Sequence, residues 1–83
     1  MNGIIGPRRQ NITIQNIHTL DCTDLRAWLG ARGISDAAAS ILWGEEVDGR
    51  AFMMLGESHL IDLGLKLGAR LLIIGLIKEL KCQ

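Results

Sequence analysis

Val47-Asp48-Gly49-Arg50-Ala51-Phe52-Met53-Met54-Leu55, Leu60-Ile61-Asp62-Leu63-Gly64-Leu65 and Leu67-Gly68-Ala69-Arg70-Leu71-Leu72 follow one another in the second half of the chain. Each is a short apolar segment with helical periodicity, and glycine-bearing turns join them. The third runs without a break into a longer C-terminal helix, expected from Leu67 to about Lys81, in which Leu67, Leu71, Ile74 and Ile77 recur every three or four residues. Leu71, Ile74 and Ile77 are expected to form its buried stripe. Leu72, Ile73 and Leu76 then fall on neighbouring faces that something must cover. Ile12, Ile14 and Ile17 from the N-terminal arm are one cover. A second chain, meeting Leu72 and Leu76 with Gly75 permitting close approach, is the other.

Working back toward the N-terminus, the same signals repeat. Asp48-Gly49 reads as a turn or cap before a short third helix carrying Phe52, Met53 and Leu55, and Leu60, Ile61, Leu63 and Leu65 predict a fourth that ends at Gly64. Ser35 or Asp36 caps a second helix, in which Ala37-Ala38-Ala39 propagates cheaply, Ile41 and Leu42 supply the apolar side, and Gly44 is the stop. A first helix starts near Asp24, capped by Thr23 or Asp21, and buries Leu25, Trp28 and Leu29 before Gly30 and Gly33 end it. Residues 1–16 read as a flexible or extended arm and 17–83 as one helical domain. Ile12 and Ile14 alternate as in an extended segment, yet no second strand is available to pair with it.

Composition narrows the role. At 83 residues the chain holds one domain with a thin core, and 48% apolar content suits a compact fold. Trp28, Trp43 and Phe52 are its only aromatic residues, so the core is mostly aliphatic. Nine bases balance nine acids, which argues against a nucleic-acid binder, but the charges are segregated. Glu45, Glu46, Asp48, Glu57 and Asp62 face only Arg50 between 45 and 62, whereas Lys66, Arg70, Lys78 and Lys81 face only Glu79 between 66 and 81. Such separation in a neutral chain points to self-complementarity. Leu71–Ile77 is an apolar run bracketed by Arg70 and Lys78, far short of the roughly 20 residues a membrane span needs. Cys22 and Cys82, without a secretory segment at the N-terminus, are expected to remain thiols in a reducing compartment, the cytoplasm with the nucleus also open.

The order and spacing of these parts resemble the sterile alpha motif, or SAM domain, over roughly Leu20 to Lys81. The likeness runs through Trp28-Leu29, Gly33-Ile34, Val47-Asp48-Gly49, Leu60 with Leu63-Gly64-Leu65, and Leu67-Gly68-Ala69-Arg70. It implies an all-α five-helix bundle with a long last helix. Some positions depart from the pattern. Aliphatic residues replace aromatics in helix two at Ala37 or Ala38 and at Ile41 or Leu42, with Trp43 expected to fill the gap. Gly56 stands where a threonine cap is usual, Ala69 where histidine is common, and Leu72, Gly75 and Leu76 where polar residues are frequent.

The resemblance implies a protein-interaction module without enzymatic activity or cofactor, acting in scaffolding or signalling. Its partner would be another SAM domain, of its own kind or a different one, giving a homo-oligomer or polymer. An acidic mid-domain surface of Glu45, Glu46, Asp48 and Asp62 would meet a helix-five surface of Lys66, Gly68 and Arg70. The alternative is an RNA stem-loop bound at the start of helix five, since Gly68-Ala69-Arg70 resembles the local pattern of RNA-binding relatives. Leu71 and Leu72 then stand where further bases would be. His18, Cys22, His59 and Cys82 lack the compact paired spacing of a zinc site. Ser40, Ser58, Cys22 and Cys82 have no neighbouring base at a spacing that would make a nucleophile.

Overall fold

The computed structural model describes residues 12–82. The expectations for residues 1–11 therefore lie outside the described part. Within it the chain is all-helical: a 3-10 turn at Ile17–Thr19, then α1 (Cys22–Ala31), α2 (Asp36–Gly44), α3 (Gly49–Phe52), α4 (Glu57–Asp62) and α5 (Leu67–Lys81). α1 packs on α2, the 3-10 turn on α3, and α4 on α5. The core is a single cluster drawn from every element, with Leu29, Phe52, Leu60 and Ile73 sealed completely and Trp28 meeting Phe52 edge to face at 6.0 Å. This is the five-helix architecture that the sequence predicts.

The helix starts follow from side-chain acceptors. Asp21 Oδ1 accepts from the Asp24 N–H at 2.8 Å while Asp24 Oδ2 accepts from the Asp21 N–H at 3.4 Å, so α1 begins at Cys22, slightly earlier than expected. Ser35 Oγ accepts from the Ala38 N–H at 3.2 Å, and Asp48 Oδ1 accepts from the Ala51 N–H at 2.9 Å. Gly56 has no side chain to cap α4. His59, one turn on, closes that end instead, its Nδ1 accepting from the Gly56 N–H at 2.9 Å.

Three helix ends share one device. After α1, α2 and α4 a residue with positive φ reverses the chain: Gly33 (φ 93°), Glu46 (φ 62°) and Gly64 (φ 80°). In each case the next residue donates back to the helix, Ile34 to the Leu29 carbonyl at 2.9 Å, Val47 to Leu42 at 3.0 Å and Leu65 to Leu60 at 3.2 Å. All six of those side chains are buried, so each stop also staples an apolar pair into the core. Gly49 answers a different need. A Cβ there would collide with the Ile17 carbonyl, because the Gly49 N–H donates to the Leu20 carbonyl at 3.0 Å and α3 lies directly against the 3-10 turn.

Five expectations need correcting. α5 buries Ile73, Leu76, Ile77 and Leu80, whereas Leu67 and Leu71 are exposed and Ile74 is only partly covered. Leu76, expected on an outer contact face, is 7% exposed and belongs to the core. An unbroken apolar run offers more than one stripe of helical period. The stripe through Leu71 and Ile74 next reaches Lys78, while the one through Ile73 and Ile77 reaches Leu80, so burial follows the latter. Trp43 does not fill the core either. It is 45% exposed, with the Arg26 guanidinium 5.3 Å above its ring and its Nε1–H donating to Thr23 Oγ1 at 3.4 Å. Residues 13–17 form a turn instead of an extended segment, because Thr13 and Asn16 bond to each other's ends: Asn16 Oδ1 accepts from the Thr13 N–H at 2.8 Å, and the Thr13 carbonyl accepts from Asn16 and Ile17. Finally, Ile17 is buried and Ile12 packs against the core, but Leu72 stays 54% exposed beneath no described part of the arm.

Candidate protein-interaction surfaces

The residues expected to form the acidic surface come from two places. Glu45 and Glu46 follow α2 directly and Asp48 opens α3, so the reversal after α2 gathers three carboxylates within four residues. Asp62 ends α4. Glu45, Glu46 and Asp62 are exposed, and no described base pairs with any of them. Asp48 is different: half-buried, with its carboxylate engaged as the α3 cap. Exposed apolar side chains lie near these acids along the chain, Trp43 two residues before Glu45, Met54 just after α3 and Ile61 next to Asp62, with Met54 the barest at 78%.

The helix-five surface divides in the same way. Lys66 stands at the N-cap of α5, exposed and unpaired, and its side chain accepts nothing from the first turn. The opening N–H groups of α5 are thus left without a side-chain acceptor, and the helix places about half a positive charge there. Gly68 is exposed, with open space around the position of a Cβ. Arg70 is half-buried, and its Nη1 donates to the Leu65 carbonyl at 3.0 Å while Nε is buried without a partner. Arg70 therefore ties α5 to the turn after α4. Leu67, Leu71 and Leu72 continue the exposed surface, at 58%, 61% and 54%.

Two ion pairs elsewhere use some of the remaining charges. Arg32 Nη2 meets Glu79 at 3.1 Å, linking the end of α1 to the end of α5, and Arg26 bridges Asp36 at 3.5 Å and Ser40 Oγ at 2.9 Å. Both cysteines are free thiols. Among the described residues no three His, Cys, Asp or Glu side chains gather as a metal-binding group, and no helix is long and apolar enough to cross a membrane.

Sequence reasoning missed the fold-back of Arg70 and the exposure of Met54, Ile61 and Leu71, and it assigned Asp48 to the acidic surface although the same residue was a cap candidate. The cap position of Asp48 was visible in the Asp48-Gly49 pair. The fold-back of Arg70 left no sequence signal, because it depends on where the turn after α4 points the Leu65 carbonyl.

Residues 3–79 match the family described as the SAM-like domain, and the chain belongs to that family. No curated protein and no solved structure matches it. Domains of this family generally act as protein-interaction modules, and such small helical domains are typically non-catalytic.

Proposed function

We propose that this domain joins SAM-like domains, further copies of itself or those of other chains, by seating the acidic turn after α2 on the start of α5 of the next domain. The observation that carries this reading is the segregation of exposed, unpaired charges, acids after α2 and at the end of α4 and a base at the start of α5. Glu45, Glu46, Asp62 and Lys66 are exposed and unpaired among the described residues, whereas Asp36 and Glu79 already have basic partners. A carboxylate arriving at the α5 N-terminus would meet both Lys66 and the uncapped N–H groups of the first turn. Trp43, Met54 and Ile61 on one side, and Leu67 and Leu71 on the other, supply apolar area that charge pairs alone would lack. Because two different patches meet, the contact repeats head to tail and builds an open chain. That geometry suits scaffolding or signalling in the cytoplasm. It is favoured over stem-loop RNA because Arg70 is tied to the Leu65 carbonyl, which leaves Lys66 as the one free base at the start of α5.

The test uses two charge reversals that spare structural residues. Glu45→Lys with Glu46→Lys goes into one preparation, and Lys66→Glu into the other. Asp48 and Arg70 stay unchanged, since altering them would also loosen α3 or the α4–α5 turn. Each preparation alone should sediment as smaller species than the native chain, and their mixture should regain a dimer. A native chain that remains monomeric at high concentration removes the homotypic form of the proposal. A mixture that stays monomeric removes the pairing of these two surfaces.

A further inference from the structure

We propose that His59 is a pH-sensitive clamp on the start of α4, closed while its imidazole is neutral and released when the ring takes up a proton. Gly56 is the hinge of this device. Its carbonyl accepts the first two hydrogen bonds of the helix, from the His59 N–H at 3.1 Å and the Leu60 N–H at 3.3 Å. Its own N–H donates to His59 Nδ1 at 2.9 Å. Gly56 has no side chain, so nothing at the cap position reaches forward into the first turn. In a capping box the third helical residue is ordinarily Glu or Gln, whose side-chain oxygen accepts the N–H of the cap residue. An amide or carboxylate oxygen can do so across the neutral range. Imidazole Nδ1 accepts only through its lone pair, and in the imidazolium a proton occupies that position. The acceptors at the starts of α1, α2 and α3 are the oxygens of Asp21, Ser35 and Asp48. The start of α4 alone rests on the side-chain type that changes charge between about pH 5 and 8.

Protonation acts on α4 twice in one direction. It removes the acceptor of the Gly56 N–H, and it sets a positive charge in the first turn, where the helix dipole disfavours a cation. The unfolded chain has neither constraint and takes up the proton more readily, so stability falls as pH falls. The neighbouring charges do not reverse this sign. On α4, Glu57 is two residues away and does not share a helix face with His59, whereas Asp62, three residues on, does. An exposed pair at that spacing is weaker than a cap bond. α5, which packs on α4, carries Lys66 and Arg70 at its start, Glu79 already paired with Arg32, and Lys78 and Lys81 beyond. α3 and its cap bring Asp48 and Arg50. Among the described residues none of these forms an ion pair or a hydrogen bond with His59. Leu60, the next residue, is sealed in the core, so loosening this turn acts on a residue that anchors the helix. α4 also carries Ile61 and Asp62, so acid pH would reach the acidic surface proposed above. That consequence alone rests on the proposed contact.

The experiment compares the native chain with His59→Gln, whose side-chain oxygen accepts at any pH. His59 is exposed, so this substitution disturbs no core packing. His18, the other histidine, is present in both chains and its contribution cancels. Between about pH 7.5 and about pH 5.5, above the ordinary carboxylate range, the native chain should lose about 2–8 °C of melting temperature beyond any loss in His59→Gln. Nuclear magnetic resonance of the native chain gives a signature that a passive surface histidine would not. At about pH 7.5, His59 Nδ1 should be the bare nitrogen and Nε2 the protonated one, and the Gly56 amide resonance should move with the His59 ring as the pH is lowered. Equal losses in the two chains, a proton on Nδ1 of the neutral ring, or a Gly56 amide that ignores the titration of the ring would each overturn the proposal. Neither measurement depends on association, so its failure is distinct from failure of the head-to-tail contact.

Discussion

Glu46 occupies a position that the ends of α1 and α4 give to glycine. All three residues have positive φ and all three precede a buried apolar residue that donates back into its helix. A side chain in that conformation costs roughly 1–2 kcal/mol, part of which glycine would return through the greater freedom of its unfolded chain. Glu46→Gly should therefore stabilise the domain by about 0.5–1 kcal/mol. For a chain of this size that is a rise in melting temperature of roughly 2–8 °C, readable by circular dichroism. An unchanged or lower melting temperature would show that the Glu46 side chain contributes something that its backbone strain conceals. The sequence announced the other two reversals, because Gly33 and Gly64 sit just past apolar helical runs. It did not announce this one. Only the pairing of Leu42 with Val47 across the turn marks it, and that pairing is visible once the helix end is known.

At the scale of the elements, the starts and stops of the helices were legible and the rotation of α5 was not. Caps are local, so the sequence narrowed them to Thr23 or Asp21, to Ser35 or Asp36 and to the Asp48-Gly49 pair, of which Asp21, Ser35 and Asp48 serve, and the bounds of α5 fell where Leu67 and Lys81 placed them. Which face a helix turns inward is a tertiary choice. Between Leu71 and Ile77 the sequence offers apolar residues in nearly every direction, so only the flanks discriminate, Lys78 against one stripe and Leu80 for the other. The choice has a measurable consequence. Leu80 is 1% exposed, so Leu80→Ala should cost about 2–5 kcal/mol in chemical denaturation, enough to unfold much of a domain this small. Leu71 is 61% exposed, and Leu71→Ala should stay within about 0.5 kcal/mol of the native chain. Comparable losses at the two positions would mean that α5 is rotated from the orientation described. The same limit governed the candidate surfaces. Unpaired charges such as Glu45 and Lys66 can be anticipated from position, but whether a charged side chain is engaged internally, as Asp48 and Arg70 are, depends on the neighbouring turn.

The whole molecule carries nine bases and nine acids, and this neutrality makes salt an informative probe. Two identical chains of zero net charge neither attract nor repel at long range, so screening a net charge cannot alter their association. Any dependence on ionic strength must come from local patches brought within about a Debye length, near 10 Å at 0.1 M salt and 3 Å at 1 M. The head-to-tail contact sets Glu45 and Glu46 near Lys66 and the α5 N-terminus, a few partly exposed pairs that contribute up to about 1 kcal/mol each. Raising sodium chloride from 0.05 to 0.5 M should thus weaken open-chain association by roughly tenfold, followed by sedimentation equilibrium across concentration. The charged contact therefore predicts an open distribution of sizes at low salt that contracts toward monomer at high salt. A distribution indifferent to salt would remove the charged contact.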